Sequence, residues 1–286
     1  MSDNLRGSLF MILSMAGFAV EDAFIKAAAR QMPVGQVLIV MGLVGIMVFS
    51  AQARRVGDPP LPRAVLSRTM ALRSGFELAG RLLYALAIAL IPISTASAIL
   101  QATPLVVVMG AALIFGERVG PGRWAVIGLG FAGVLVILRP GLAGFDLLSL
   151  LALGGMLGFA GRDLATRAAP PALSNAQLGV AGFAVLGVSG LVILSVTGGA
   201  TLPTVSGAGL LAGACGFGIL GYGALTVAMR TGEVSAVTPF RYTRLLFAMA
   251  LGIGIFGERP DSATLIGAAM IVGCGVLILG RRRTPA

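Results

Sequence analysis

Apolar residues run along this chain in blocks of about twenty, and polar residues are confined to the short breaks between them. A helix needs about 20 mostly apolar residues to cross the hydrocarbon of a bilayer. That spacing predicts ten spans, near residues 8–29, 33–53, 69–90, 93–115, 121–138, 145–168, 175–197, 206–229, 234–256 and 261–280. The one long connection, RRVGDPPLPRAVLSR at 54–68, has the prolines and arginines of a solvated loop. The expected fold is therefore an all-α integral membrane protein with ten transmembrane helices and no soluble domain. The first segment has no small-residue cleavage site and is followed by many more, so it is expected to be a retained span.

Composition agrees with this. Of 286 residues, 57% are hydrophobic and 11% charged, too few charges to cover a soluble surface. The 42 glycines suit helices that approach one another closely in lipid. The formal charge of +10 does not point to nucleic acid, because the basic residues sit in short loops. Twelve flank one side of the predicted spans, from Arg6, Arg54 and Arg55 to Arg281, Arg282 and Arg283; four, Lys26, Arg30, Arg139 and Arg259, flank the other. Under the positive-inside rule both termini are cytoplasmic. Cys215 and Cys274 lie in apolar runs and offer neither a disulfide framework nor a metal motif. With no His, GxSxG, HExxH or acidic metal cluster, an enzyme is not expected, and neither is a metal or cofactor.

The chain repeats itself at a constant shift of 141 residues. GFAVEDAFIK at 17–26 falls on GFAGRDLATR at 158–167, Gln36 falls on Gln177, Gly75, Phe76 and Gly80 fall on Gly216, Phe217 and Gly221, and FGER at 115–118 falls on FGER at 256–259. The halves are thus 1–141 and 142–286. Five spans per half is an odd number, so the second half enters the membrane from the opposite face. Inverted repeats are built into many secondary transporters, whose site lies near the midplane between the halves and is exposed to each side in turn.

Charges inside spans mark where that site would be, since each costs at least about 2.5–3.5 kcal/mol at a helix centre and so faces a partner or a cavity. Asp22 with Lys26, and Asp163 with Arg167, are spaced to pair along one helix face, either as structural or gating pairs or in direct contact with substrate or proton. Glu21 points elsewhere, and its counterpart at the 141-residue shift is Arg162. These five in-span positions, Glu21, Asp22, Lys26, Arg162 and Asp163, are the candidates for coupling or gating. Arg73, Glu77, Arg81 and Tyr84 form one stripe on the third span. The ninth span carries TPFRYTR, with Arg241, Tyr242 and Arg244. Glu77, Arg81, Arg241 and Arg244 fall about 12–18 Å deep and predict a central polar cavity with an arginine left for a carboxylate or phosphate. The shift sets Arg81 against Tyr222 and Gln101 against Tyr242, positions where a symmetric scaffold gains an asymmetric site. The candidate substrate residues are Glu77, Arg81, Tyr84, Gln101, Tyr222, Arg241, Tyr242 and Arg244. Pro104 and Pro239, inside the fourth and ninth spans, are candidate hinges.

FGERVGPGRWAVIGLGFAGVLVILRPG at 115–141, its echo FGERPDSATLIGAAMIVGCGVLIL at 256–279, and the phrases EDAFIK and PFRYTRLLFA resemble the EamA-type branch of the bacterial drug/metabolite transporter superfamily over essentially the whole chain. The resemblance implies a basket-like ten-helix secondary transporter of the bacterial inner membrane, with a small-molecule substrate and no nucleotide-hydrolysing subunit. Similar members export amino acids, aromatic ones included, or import S-adenosylmethionine or riboflavin. Amino-acid export is the first expectation, with uptake of a nucleoside-like or vitamin compound the alternative. Many members have a proline where this chain has Leu245.

Overall fold

In the computed structural model, which describes residues 3–115, 121–138, 146–168, 170, 172–231 and 237–280, every predicted span contains a helix. Glu117 and Arg118, Arg139, the repeat boundary at 141 and Arg281 to Arg283 lie outside the described residues, as do the side chains of Arg123, Arg167, Pro239 and Cys274.

The first half comprises α1 (Asp3–Ala28), α2 (Val34–Arg55), α3 (Arg68–Leu90), α4 (Ile93–Leu100), α5 (Thr103–Phe115) and α6 (Pro121–Leu138). The second comprises α7 (Ser149–Arg167), α8 (Asn175–Thr197), α9 (Val205–Thr231), a 3-10 turn at Thr238–Tyr242, α10 (Thr243–Phe256) and α11 (Ser262–Gly280). A further 3-10 turn, Arg63–Leu66, lies in the long loop. Among the described residues five stretches are long and apolar enough to cross a membrane, Leu5–Ala28, Val34–Arg55, Thr95–Ile114, Asn175–Thr197 and Val205–Thr231.

Helix ends follow local chemistry. Ser174 caps α8 in a reciprocal capping box with Gln177, satisfying donors that a helix start leaves free. Gly257, at φ +64°, ends α10 in the left-handed region that glycine alone enters without strain. The fourth span breaks between α4 and α5, and Pro104 is the second residue of α5, where a missing N–H costs nothing. Pro239 likewise falls in the first turn of the 3-10 segment that opens the ninth span. Both prolines therefore start helical segments rather than bend helix interiors.

The helices pair between halves. α1 packs on α9 and α3 on α7, two contacts that exchange when the repeats are swapped. α5 on α7 and α1 on α10 exchange likewise, as do α4 on α10 and α5 on the 3-10 turn at Thr238–Tyr242, while α2 on α8 and α6 on α11 map onto themselves. That is the pattern of a two-fold axis relating inverted halves. Glycines make the crossings close. A Cβ on Gly158 would stand 2.5 Å from Gly80 Cα, and one on Gly17 would stand 3.1 Å from Gly221 Cα, the same contact in the other half. At the α2–α8 crossing a Cβ on Gly42 would lie 2.6 Å from Gly187 Cα. Small residues let helices approach in a medium that offers no hydrophobic drive between them.

Polarity is arranged for lipid. Large apolar side chains such as Leu43, Met47, Leu191, Ile253 and Ile255 are exposed on the outside, whereas Glu77, Arg73, Glu21 and Asp22 are buried. A water-soluble protein would reverse this distribution. The equivalent glutamines Gln36 and Gln177 play matching parts at the ends: Gln36 bonds both the N–H and the C=O of Thr201, and Gln177 donates to the Pro59 carbonyl at 2.9 Å. Each holds the loop that follows the partner span in the other half.

Candidate functional site

Where the halves meet, a cavity of about 80 Å³ is lined by both of them. It holds roughly half a dozen waters at one probe sphere each, so a metabolite enters only if the helices separate further. Its charged lining comes from α1 (Glu21, Asp22), α3 (Arg81), α7 (Arg162) and the ninth span (Arg241, Arg244). Tyr84, Gln101, Thr103 and Pro104 add polar and kinked surface beside Phe18 and Phe159.

The ninth span distributes its two arginines between the repeats. Arg244 Nη2 donates to Asp22 Oδ2 at 2.5 Å, and Arg241 Nη1 donates to Asp163 Oδ2 at 2.5 Å. Asp22 and Asp163 are equivalent positions, so one turn of the chain binds the same aspartate in both halves. Asp22 also accepts from the Tyr84 hydroxyl at 3.3 Å, and Asp163 from Arg162 Nη2 at 2.8 Å. Charge-assisted bonds of this kind are the strong ones in a low-dielectric interior.

The spacing-based pairing of Asp22 with Lys26 is not made. Lys26 reaches past its own helix to Glu258 at 3.3 Å and to the Ile91 carbonyl at 2.9 Å, and Glu258 accepts from the Ile93 N–H at 2.9 Å. A residue four places along competes poorly with an arginine presented across the interface in a fixed fork. The result is a separate ion pair that joins α1, the start of α4 and the end of α10.

Glu77 is fully buried and is surrounded by three arginines, Arg73 at 3.1 Å and Arg81 and Arg162 at 3.6 Å. Arg73 continues the network through the Tyr222 hydroxyl at 2.8 Å and Thr166 Oγ1 at 2.9 Å, and Tyr222 donates to the Leu178 carbonyl at 3.0 Å. Of the predicted substrate residues, the fold therefore places Arg81, Tyr84, Gln101, Arg241 and Arg244 on the cavity wall. Glu77, Tyr222 and Tyr242 are buried and do not line it. Glu21, Asp22 and Arg162 are on the wall; Lys26 and Asp163 are not. Gln101 donates to the Arg241 carbonyl at 2.9 Å and so joins the two broken spans.

Two lining residues outside the predicted set are Phe18 and Phe159, again equivalent positions. Arg244 lies over the Phe18 ring at 5.3 Å and Arg162 over the Phe159 ring at 5.1 Å, each a cation–π contact that holds a guanidinium without neutralising it. The repeated GFA phrase carried that signal. Five guanidiniums thus face four carboxyl groups, and the Nε–H groups of Arg81, Arg241 and Arg244 are buried with no acceptor among the described residues.

A helical membrane protein with inverted halves and a charged cavity between them has the architecture of a secondary transporter rather than of an enzyme. The chain belongs to the EamA-like transporter family, whose model matches residues 5–139 and again 147–280. It is similar to a riboflavin transporter of Vibrio cholerae, 27% identical over 94% of this chain and 91% of the relative. It is also similar to the pseudopaline exporter CntI of Pseudomonas aeruginosa, 26% identical over 93% of each. A solved structure described only as a protein crystal structure shares the fold, with a TM-score of 0.67 and 19% identity over 97% of this chain and 98% of that one.

Proposed function

We propose that this protein moves small carboxylate-bearing metabolites across the bacterial inner membrane by alternating access, the halves 1–141 and 142–286 rocking about the cavity. Export of amino acids, aromatic ones included, is the first reading. The observation that carries it is the set of buried Nε–H donors on Arg81, Arg241 and Arg244, three residues of one cavity wall. Each guanidinium keeps a donor for an anionic group although one of its terminal nitrogens holds a protein carboxylate. Tyr84, Phe18 and Phe159 give ring surface beside those donors. Pro104 and Pro239, each opening a helical segment, are the proposed hinges.

The same cavity supports a second reading, uptake of riboflavin, S-adenosylmethionine or a similar compound, which the Vibrio cholerae relative favours. Both termini are placed in the cytoplasm, from the bias of basic residues toward the ends of the spans that share a side with Arg6.

Purified protein in proteoliposomes, given a panel of labelled amino acids, S-adenosylmethionine and riboflavin with and without an imposed pH gradient, separates these readings. Movement of amino acids supports the first. Movement of riboflavin or S-adenosylmethionine with no amino acid moved replaces it by the second, and movement of neither removes both.

A further inference from the structure

We propose that Glu21, where it lines the cavity, forms a subsite for a positively charged group of the transported molecule, which makes the substrate a zwitterion or a cation as well as a carboxylate. This rests on reading the cavity as the substrate path.

The argument starts from the 141-residue shift. Where α3 crosses α7, Arg162 meets Glu77, and Arg73 and Arg81 surround the same carboxylate. At the equivalent crossing of α1 and α9 the counterpart of Arg162 is Glu21, and the counterparts of Arg73, Glu77 and Arg81 are Ala214, Gly218 and Tyr222. The sign of the α1 charge is reversed and its partner is deleted. Gly218 instead makes room for the Glu21 carboxyl itself: a Cβ there would lie 2.9 Å from Glu21 Oε1.

Glu21 is 4% exposed, lines the cavity, and makes no hydrogen bond or ion pair among the described residues. Arg81 and Arg244 act on it only through space, since their guanidiniums are bound to Glu77 and Asp22. Asp22, Glu77 and Asp163 each hold at least one arginine, and Glu21 alone among these four holds none. A buried carboxylate without a counter-charge costs several kcal/mol. The cavity thus provides anion donors on Arg81, Arg241 and Arg244 and, on the α1 side, a carboxylate whose counter-charge the protein does not supply. An ammonium or other onium group on the substrate completes that pair.

The test uses the whole protein in detergent and needs no transport. A hydrophobic carbodiimide is allowed to modify Glu21, and the label is located by mass spectrometry. Benzyltrimethylammonium, a cation with no carboxylate, is expected to reduce the label about tenfold when the site is roughly nine-tenths occupied. 3-Phenyllactate, an anion with no cationic group, is expected to leave it unchanged. Gly218→Lys, which brings an internal cation and is first checked for monodisperse elution, is expected to lose the protection. The proposal is overturned by absence of label at Glu21, by equal labelling with and without the ammonium, by protection from phenyllactate alone, or by full protection in the lysine variant. Because labelling is read without transport, failure of the transport panel and failure of this subsite are separate results.

Discussion

Arg244 on α10 is bound to Asp22 on α1 at 2.5 Å, and this bond crosses from one repeat to the other through the wall of the cavity. Removing the arginine leaves a buried aspartate without its counter-charge. Arg244→Ala is expected to abolish transport and to cost about 3–5 kcal/mol of stability. Asp22→Asn combined with Arg244→Gln should recover much of the stability and none of the transport. Thermal unfolding in detergent beside proteoliposome flux checks both, and wild-type flux in the Arg244 and Arg241 alanine variants would refute the assignment.

Tyr84 and Tyr222 are expected to respond differently to the same chemical change. Tyr222→Phe removes the hydroxyl that links Arg73 to the Leu178 carbonyl, away from the cavity wall, and should cost about 1–3 kcal/mol with KM unchanged. Tyr84→Phe alters a lining residue bound to Asp22 and should shift KM with a smaller loss of stability. A KM change in the Tyr222 variant equal to that in the Tyr84 variant would remove the distinction.

Gly158 should tolerate nothing larger. Alanine there sets its Cβ 2.5 Å from the Gly80 backbone, an overpacking worth about 1–3 kcal/mol or more. Gly75 meets nothing within 4 Å, so Gly75→Ala should be neutral or gain up to about 1 kcal/mol of helix propensity. The two melting temperatures in one detergent decide it.

Lys26 and Glu258 fasten one end of the cavity by tying α1 and the end of α10 to the first turn of α4. Glu258→Gln should weaken that fastening by about 1–3 kcal/mol, raising the rate at which a maleimide reaches a cysteine placed at Ile88 by roughly 5- to 150-fold. Equal rates in the two backgrounds would show that this ion pair does not control access.

The hydrophobic pattern located every described helix because a span announces itself by length and composition alone. The 141-residue echo was equally legible, and the Gly17–Gly221 and Gly80–Gly158 contacts were implicit in it. Spacing failed at Lys26. The i,i+4 rule sees one helix, whereas Asp22 and Asp163 are claimed by arginines about 80 or more residues away that only the inverted packing brings near. Depth placed Glu77 in the cavity and the repeat comparison placed Tyr222 there, because neither tells which side of a helix faces the centre. Glu258, in the repeated FGER phrase, could not be matched to Lys26 without the fold.

The glycine contacts have a mechanical consequence. Interdigitated side chains work like gear teeth: one helix turns against another only when rotamers disengage. Where Gly17 meets Gly221 and Gly80 meets Gly158 backbone comes against backbone, and the teeth are reduced to the flanking side chains of Phe18, Leu220 and Phe159. In the proposed rocking these two crossings would serve as a matched pair of bearings, and the arginine–aspartate bonds as the latches that hold them.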